Sequence, residues 1–189
     1  MYELKIIIAS TRPGRKGPSI ASWIVEKAKE HPDFNVELLD LAAINLPMMN
    51  EPEHPRLRKY QHEHTKKWSG IIDGADAFIF VMPEYNYGYT APLKNAIDYL
   101  NHEWSYKPLG FVSYGGIAAG TRALQLLKPV VTSLKLVSIE PSVNIPFFAH
   151  HIDEDGVFKA IDSMNNSADS LFKELLKWAP MLKEMRNKK

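Results

Sequence analysis

The sequence predicts a doubly wound α/β fold: a five-stranded parallel sheet in the order 2-1-3-4-5, with helices on both faces. Three observations carry that prediction. Five short apolar runs alternate with stretches of helical periodicity. The runs are continuous rather than alternating, as strands buried on both faces are. The 189 residues show no internal repeat, low-complexity tract or Gly/Ser linker, so one domain over residues 1–189 is expected.

Leu4–Ala9 is the first run, and Ile20, Trp23, Ile24 and Ala28 follow at helical spacing. Val36–Leu39 is the second. Asp40–Pro55 holds three prolines and little periodicity, and reads as a long loop. Leu57, Tyr60, His64, Trp68 and Ile71 suggest a helix. Ala77–Met82 is the third run. After it, Thr90 suits a helix cap and Pro92 a first turn, leading into Leu93, Ala96, Ile97 and Leu100. Leu109–Ser113 is the fourth run. Gly115, Gly116 and Gly120 punctuate the entry to a helix carrying Leu124, Leu127 and Val131. Leu136–Ile139 is the fifth run. Leu171, Leu175, Trp178 and Leu182 mark a closing amphipathic helix. Trp23, Trp68 and Trp178 are expected in the core.

Bulk properties exclude several classes. A net charge of +1 gives no field for nucleic acid or an anionic membrane. The absence of cysteine excludes disulfides, thiolate metal sites and a cysteine nucleophile. No window approaches the roughly 20 apolar residues of a membrane span. Met1–Ser10 lacks the pattern of a secretory signal, so a cytoplasmic protein is expected. The seven histidines make no recognisable ligand spacing, and no metal is expected. His62 and His64 should point to different faces of a helix, and His150-His151 should lie on a loop.

In the order 2-1-3-4-5 the chain reverses across the sheet between strands one and three, and ligands bind in the crevice this opens. The loops leaving those strands are unusual. Ser10–Ser19 offers three hydroxyls (Ser10, Thr11, Ser19), three cations (Arg12, Arg15, Lys16) and two glycines before a helix. A helix N-terminus attracts anions, and arginine can grip two phosphate oxygens. It is neither a Walker loop nor GxGxxG. Pro83-Glu84-Tyr85-Asn86-Tyr87-Gly88-Tyr89 places three tyrosines within five residues, able to wall in a flat ring. Tyr114-Gly115-Gly116 leaves strand four, where glycine admits a planar ligand close to the backbone. A phosphate joined by a flexible chain to a flat heterocycle fits all three loops, and that description is FMN. Glu84 is expected to pair with Lys94 or brace its own loop rather than to catalyse. His102-Glu103-Trp104 could rim a pocket or an interface.

These residues resemble the NADPH-dependent FMN reductase family, quinone- and azo-reducing flavoproteins of flavodoxin-like fold. Ala9-Ser10-Thr11-Arg12 matches its [GA]-S-x-R segment. Pro83 through Leu93-Lys94-Asn95-Ala96-Ile97-Asp98 matches P-x-Y-N-x6-L-K-N-A-I-D, and Ser113–Gly116 matches S-Y-G-G. Asp40-Leu41 with Leu46-Pro47 is similar to its D-L…L-P segment. The resemblance implies that Ser10, Thr11, Arg12, Ser19 and Ile20 hold the phosphate. Arg15 is a further candidate there, on a basic pair with Lys16 that only part of the family shares. It implies that Pro83, Glu84, Tyr85, Asn86, Tyr87, Tyr114, Gly115 and Gly116 hold the ring. NADPH or NADH would be the donor, and a quinone, azo compound, metal ion or free flavin the acceptor. The chemistry belongs to the flavin, so no catalytic side chain is named. A homodimer or homotetramer is implied, with Asp40–Pro55 as a candidate interface. A flavodoxin-type electron carrier is the first alternative, although carriers are usually strongly acidic and this chain is near neutral. A non-catalytic flavin-binding regulatory protein is the second.

Overall fold

The computed structural model describes residues 1–188. Five parallel strands form one sheet in the order β2-β1-β3-β4-β5. They are β1 (Tyr2–Ile8), β2 (Phe34–Asp40), β3 (Ala77–Pro83), β4 (Pro108–Tyr114) and β5 (Val137–Ile145). The register pairs Ile8 with Val81 and Pro83 with Tyr114, so the C-terminal ends of β1, β3 and β4 lie side by side.

Helices cover both faces, which is why the strand runs are continuously apolar. Along β3, Phe78, Phe80 and Met82 face one core and Ala77, Ile79 and Val81 the other. The first core is closed by α2 (Leu41–Ile44), α3 (Glu63–Asp73), α4 (Ala91–Asp98) and α5 (Thr121–Ser133). The second is closed by α1 (Gly17–Ala28) and α6 (Asp162–Asn187). No described helix is long and apolar enough to cross a membrane.

Several boundaries differ from the expectation. Asp40–Pro55 is not all loop: Asp40 accepts from the Ala42 N–H and caps the single turn α2. Leu57 and Tyr60 lie outside α3, because Pro55 starts a separate 3-10 turn and Arg58 leaves it with φ +50°. His62 therefore stands at the N-cap position of α3, without a capping bond from its side chain, and its ring stacks on His64 at 5.1 Å instead of diverging. β5 runs past Pro141 to Ile145, a position an edge strand tolerates. Trp68 is buried, donating to the Ala96 carbonyl, but Trp178 lies on the outer side of α6 and is 39% exposed. Glu103 and Trp104 form no rim. Both are fully buried, with Trp104 against Phe78 and Glu103 accepting from Tyr60 and Ser69.

Candidate FMN site

The site is built where β1, β3 and β4 end. Ala9 donates its N–H to Val81, and the Thr90 hydroxyl donates to the Ala9 carbonyl at 2.7 Å. The same hydroxyl accepts from the Leu93 N–H and caps α4. One side chain thus fastens the β1 end to the helix that follows β3, with Pro92 in the first turn as its fixed φ favours.

At the β1 end, Ser10 is fully buried and its Oγ lies 3.2 Å from the Tyr114 hydroxyl. Burial pushes the Tyr114 phenol up, so it is a neutral donor at ordinary pH. Gly17 opens α1 directly beneath them, and a Cβ on it would stand 2.4 Å from Ser10 Oγ. No side chain caps α1 and Pro18 has no N–H, so the N–H groups of Gly17 and Ser19 are the ones left for a ligand in the first turn of this 12-residue helix. Ser19 and Ile20 lie in that turn, with Ser19 half-buried and Ile20 in the core. Arg12 and Lys16 are exposed beside it. Arg15 is engaged elsewhere. Its guanidinium holds both carboxylate oxygens of Asp40, at 2.6 and 2.5 Å, and donates to the Ser10 carbonyl. That bond holds the Asp40 carboxyl below its usual range and raises the Arg15 value. Thr11 lines a cleft of about 400 Å³ with Leu41, Leu46, Met48, Pro92 and Asn95, and is the one candidate residue that does so.

At the β3 end, Pro83 closes the strand and Glu84 donates its N–H to the Tyr114 carbonyl at 3.0 Å. Tyr85 and Gly88 then exchange two backbone hydrogen bonds of 2.9 Å. Asn86 and Tyr87 between them have φ of +48° and +70°. This is the two-residue turn that asparagine and glycine favour, here with tyrosine in the left-handed region. Tyr85 and Tyr87 are 38% and 64% exposed, so their rings are offered outward. Glu84 pairs with Arg122 at 3.0 Å, while Lys94, its expected partner, pairs with Asp98.

At the β4 end, Gly115 is packed tightly, since a Cβ would meet the Gly120 N at 3.0 Å. At Gly116 a Cβ would meet nothing within 4 Å. Both receive bonds from the segment after β5: Phe147 donates to the Gly116 carbonyl and Phe148 to that of Gly115. Phe147 has φ +45°, is half exposed, and stacks on His150. An anion cradle, an exposed pair of tyrosines and an open glycine edge fit a phosphate, its chain and a planar ring.

The profile of the NADPH-dependent FMN reductase family matches residues 3–150. The chain belongs to that family. An NAD(P)H-dependent FMN reductase of Schizosaccharomyces pombe is 44% identical over 148 residues, 76% of this chain and 74% of the relative. One of Saccharomyces cerevisiae is 36% identical over 162 residues, 79% of this chain and 84% of its own length. In fold, the chain is similar to the flavoenzyme NAD(P)H:(acceptor) oxidoreductase FerB of Paracoccus denitrificans. The TM-score is 0.75 at 20% identity, over 96% of this chain and 98% of that one. As a member of the FMN reductase family, this flavodoxin-like chain is an oxidoreductase that uses FMN and a reduced nicotinamide.

For an FMN reductase the chain's own geometry adds three parts the sequence did not disclose. Phe147 and Phe148 donate to the glycine carbonyls of the β4 end from a segment that follows β5, a strand longer than its apolar run announces. Arg122 reaches back to Glu84 from α5, a pairing 38 residues apart that no local pattern signals. Gly17 was visible as a glycine of the loop, but its contact with Ser10 was not. Among the described residues no group of three or more His, Asp or Glu side chains is placed to hold a metal ion.

Proposed function

We propose that the three adjacent strand ends hold one FMN, and that the enzyme passes electrons from NADPH or NADH to a small-molecule acceptor. Ser10, Thr11, Arg12, Ser19 and Ile20 receive the phosphate, with Lys16 beside them. Pro83–Tyr87 and Tyr114–Gly116 receive the ring. The observation that carries the reading is the joining of the two ends: the Tyr114 hydroxyl lies on Ser10 Oγ while its carbonyl accepts from Glu84. One residue thereby links the phosphate cradle to the ring platform.

FMN supplies the chemistry when bound, accepting a hydride and releasing two electrons. The chain's residues bind and orient. The uncapped turn of α1 and Arg12 stabilise phosphate charge, and the Gly116 N–H, unlike that of Gly115, which donates to the Ile145 carbonyl, is available to charge gathering on the ring edge. Exposed Phe147 and Tyr87 border the open side, where a flat acceptor would stack: a quinone, an azo compound or free flavin, with a metal ion reduced at the same edge. The assembly is a homodimer or homotetramer, with residues 40–55 and their exposed Met48 at the interface.

The test is direct. Purified protein loaded with FMN should show oxidised-flavin absorbance that NADPH bleaches without oxygen and that a quinone restores. Bound FMN that NADPH does not bleach would point to a carrier, and failure to take up FMN would overturn the reading.

A further inference from the structure

We propose that Arg122 is a positioning residue of the FMN site, held by Glu84 and holding the Tyr85–Gly88 turn. The inference rests on the placement of the ring proposed above. Glu84 is one of the least exposed carboxylates near the crevice, its side chain 10% accessible. Its two oxygens serve one residue. Oε1 accepts from Arg122 Nη1 at 3.0 Å, and Oε2 accepts the Arg122 backbone N–H at 3.2 Å. Because Arg122 stands in the first turn of α5 and Gly120 offers that helix no side-chain cap, Glu84 is also the acidic group at its N-terminus.

The other end of Arg122 meets an aromatic ring. Its guanidinium carbon lies 4.1 Å from the Tyr87 centroid. Tyr87 needs such a contact. Its backbone is left-handed, its ring is 64% exposed, and no hydrogen bond to its hydroxyl competes among the described residues. A planar guanidinium already fixed by a carboxylate stacks with little further loss of freedom, which a flexible ammonium could not match. The pair therefore bolts the tyrosine turn to the start of α5, and holds the two proposed walls of the ring slot at one separation. Glu84 also lies across from Gly115, where an added Cβ would stand 3.7 Å from Glu84 Cβ.

The pair has an electrostatic consequence as well. A carboxylate beside the flavin disfavours the extra charge of the reduced ring, and Arg122 neutralises it. Removing either partner exposes the other, so the two losses act on the flavin with opposite sign. A purely structural brace would not do this.

The experiment measures FMN dissociation by fluorescence and the flavin midpoint potential by dye equilibration, on the full chain. Glu84→Gln and Arg122→Ala should each weaken FMN about tenfold. The potential should rise in Glu84→Gln, fall in Arg122→Ala, and return toward the parent value in the double variant. Arg122→Lys, which keeps the charge and loses the planar stack, should weaken FMN with little change in potential; it serves if Arg122→Ala does not fold. Unchanged affinity, or potentials that shift in one direction in both single variants, would overturn the proposal. Gly116→Val separates the two readings. If it binds FMN normally, the ring lies elsewhere and the placement itself fails. If it blocks FMN while the Glu84 and Arg122 variants stay at parent values, the placement stands and this inference alone is wrong.

Discussion

Gly17 lies so close to Ser10 that a single added carbon would stand 2.4 Å from the serine Oγ and 2.9 Å from the Tyr114 hydroxyl. Neither oxygen has room to retreat, since Ser10 is fully buried and Tyr114 nearly so. Gly17→Ala should cost about 1–3 kcal/mol of stability, the usual penalty for overpacking. It should also weaken FMN, because the first turn of α1 must move to relieve the contact. Ser10→Ala in the same chain removes the worst clash and should restore part of the lost stability. Thermal unfolding of the single and double variants without FMN checks this, and a double variant less stable than Gly17→Ala would refute it.

Gly116 is the opposite case. No heavy atom stands within 4 Å of a Cβ there, and its φ is not left-handed. Gly116→Val should therefore change the apo melting temperature by only a degree or two. Its two methyls would fill the space proposed for the ring, and FMN affinity should fall at least tenfold. Normal stability with lost flavin is the expected signature, read by melting and by flavin fluorescence on one preparation.

Much of this arrangement was legible in the sequence because its signals are local. Continuous apolar runs such as Ala77–Met82 announce strands covered on both faces, and Thr90 with Pro92 announces the start of α4. The strand order then brought Ser10 and Tyr85 toward one crevice. What stayed hidden depends on distance along the chain or on backbone angles. Glu84 had Lys94 within ten residues, and nothing in the residue types favoured Arg122. Asp40 and Arg15 are 25 residues apart, so a cation expected on phosphate is committed to a carboxylate instead. Leu57 and Tyr60 keep helical spacing across a turn that Arg58 breaks with a positive φ, which periodicity cannot register. Phe147 is likewise placed by a left-handed backbone outside any motif.

The two arginines of the first loop should behave differently. Arg12 is exposed beside the uncapped turn of α1, so Arg12→Ala should weaken FMN about tenfold or more while leaving riboflavin, which has no phosphate, unaffected. Arg15 acts through Asp40 and the Ser10 carbonyl. Arg15→Ala should cost about 1.5–3 kcal/mol of stability, typical of hydrogen bonds to charged groups. The Asp40 carboxyl is depressed by that bond, so its stabilising effect is present above the ordinary carboxylate value of 3.8 and is lost as pH falls through the lower folded value. The stability gap between parent and Arg15→Ala should accordingly close below about pH 4. Equal loss of FMN and riboflavin in Arg12→Ala would remove that residue from the phosphate.

Lys107 offers a pH test remote from the flavin. It is 2% exposed, and its amine donates to the Ile72 and Asp73 carbonyls at 2.7 and 2.8 Å. Those are among the last carbonyls of α3, which have no partner within the helix. Burial, with the Arg186 charge adding to it, pushes the amine down to about 7 from an ordinary 10.5. Above the folded value the native amine has lost its proton while the unfolded chain still binds one, so this group makes stability rise with pH. The window runs from about 7 to 10.5, and one proton is worth about 1.4 kcal/mol per pH unit within it. Below 7 both states are protonated and the slope vanishes. Lys107→Met fills the same space and removes the titration, at the cost of an unpartnered Asp73 carbonyl, while that of Ile72 keeps the Ala75 N–H. Denaturant unfolding at pH 7, 8 and 9 should show the parent gaining stability relative to Lys107→Met as pH rises. A constant difference between the two would mean that Lys107 keeps its charge when buried, with the two carbonyls and nearby Asp73 and Asp76 outweighing desolvation.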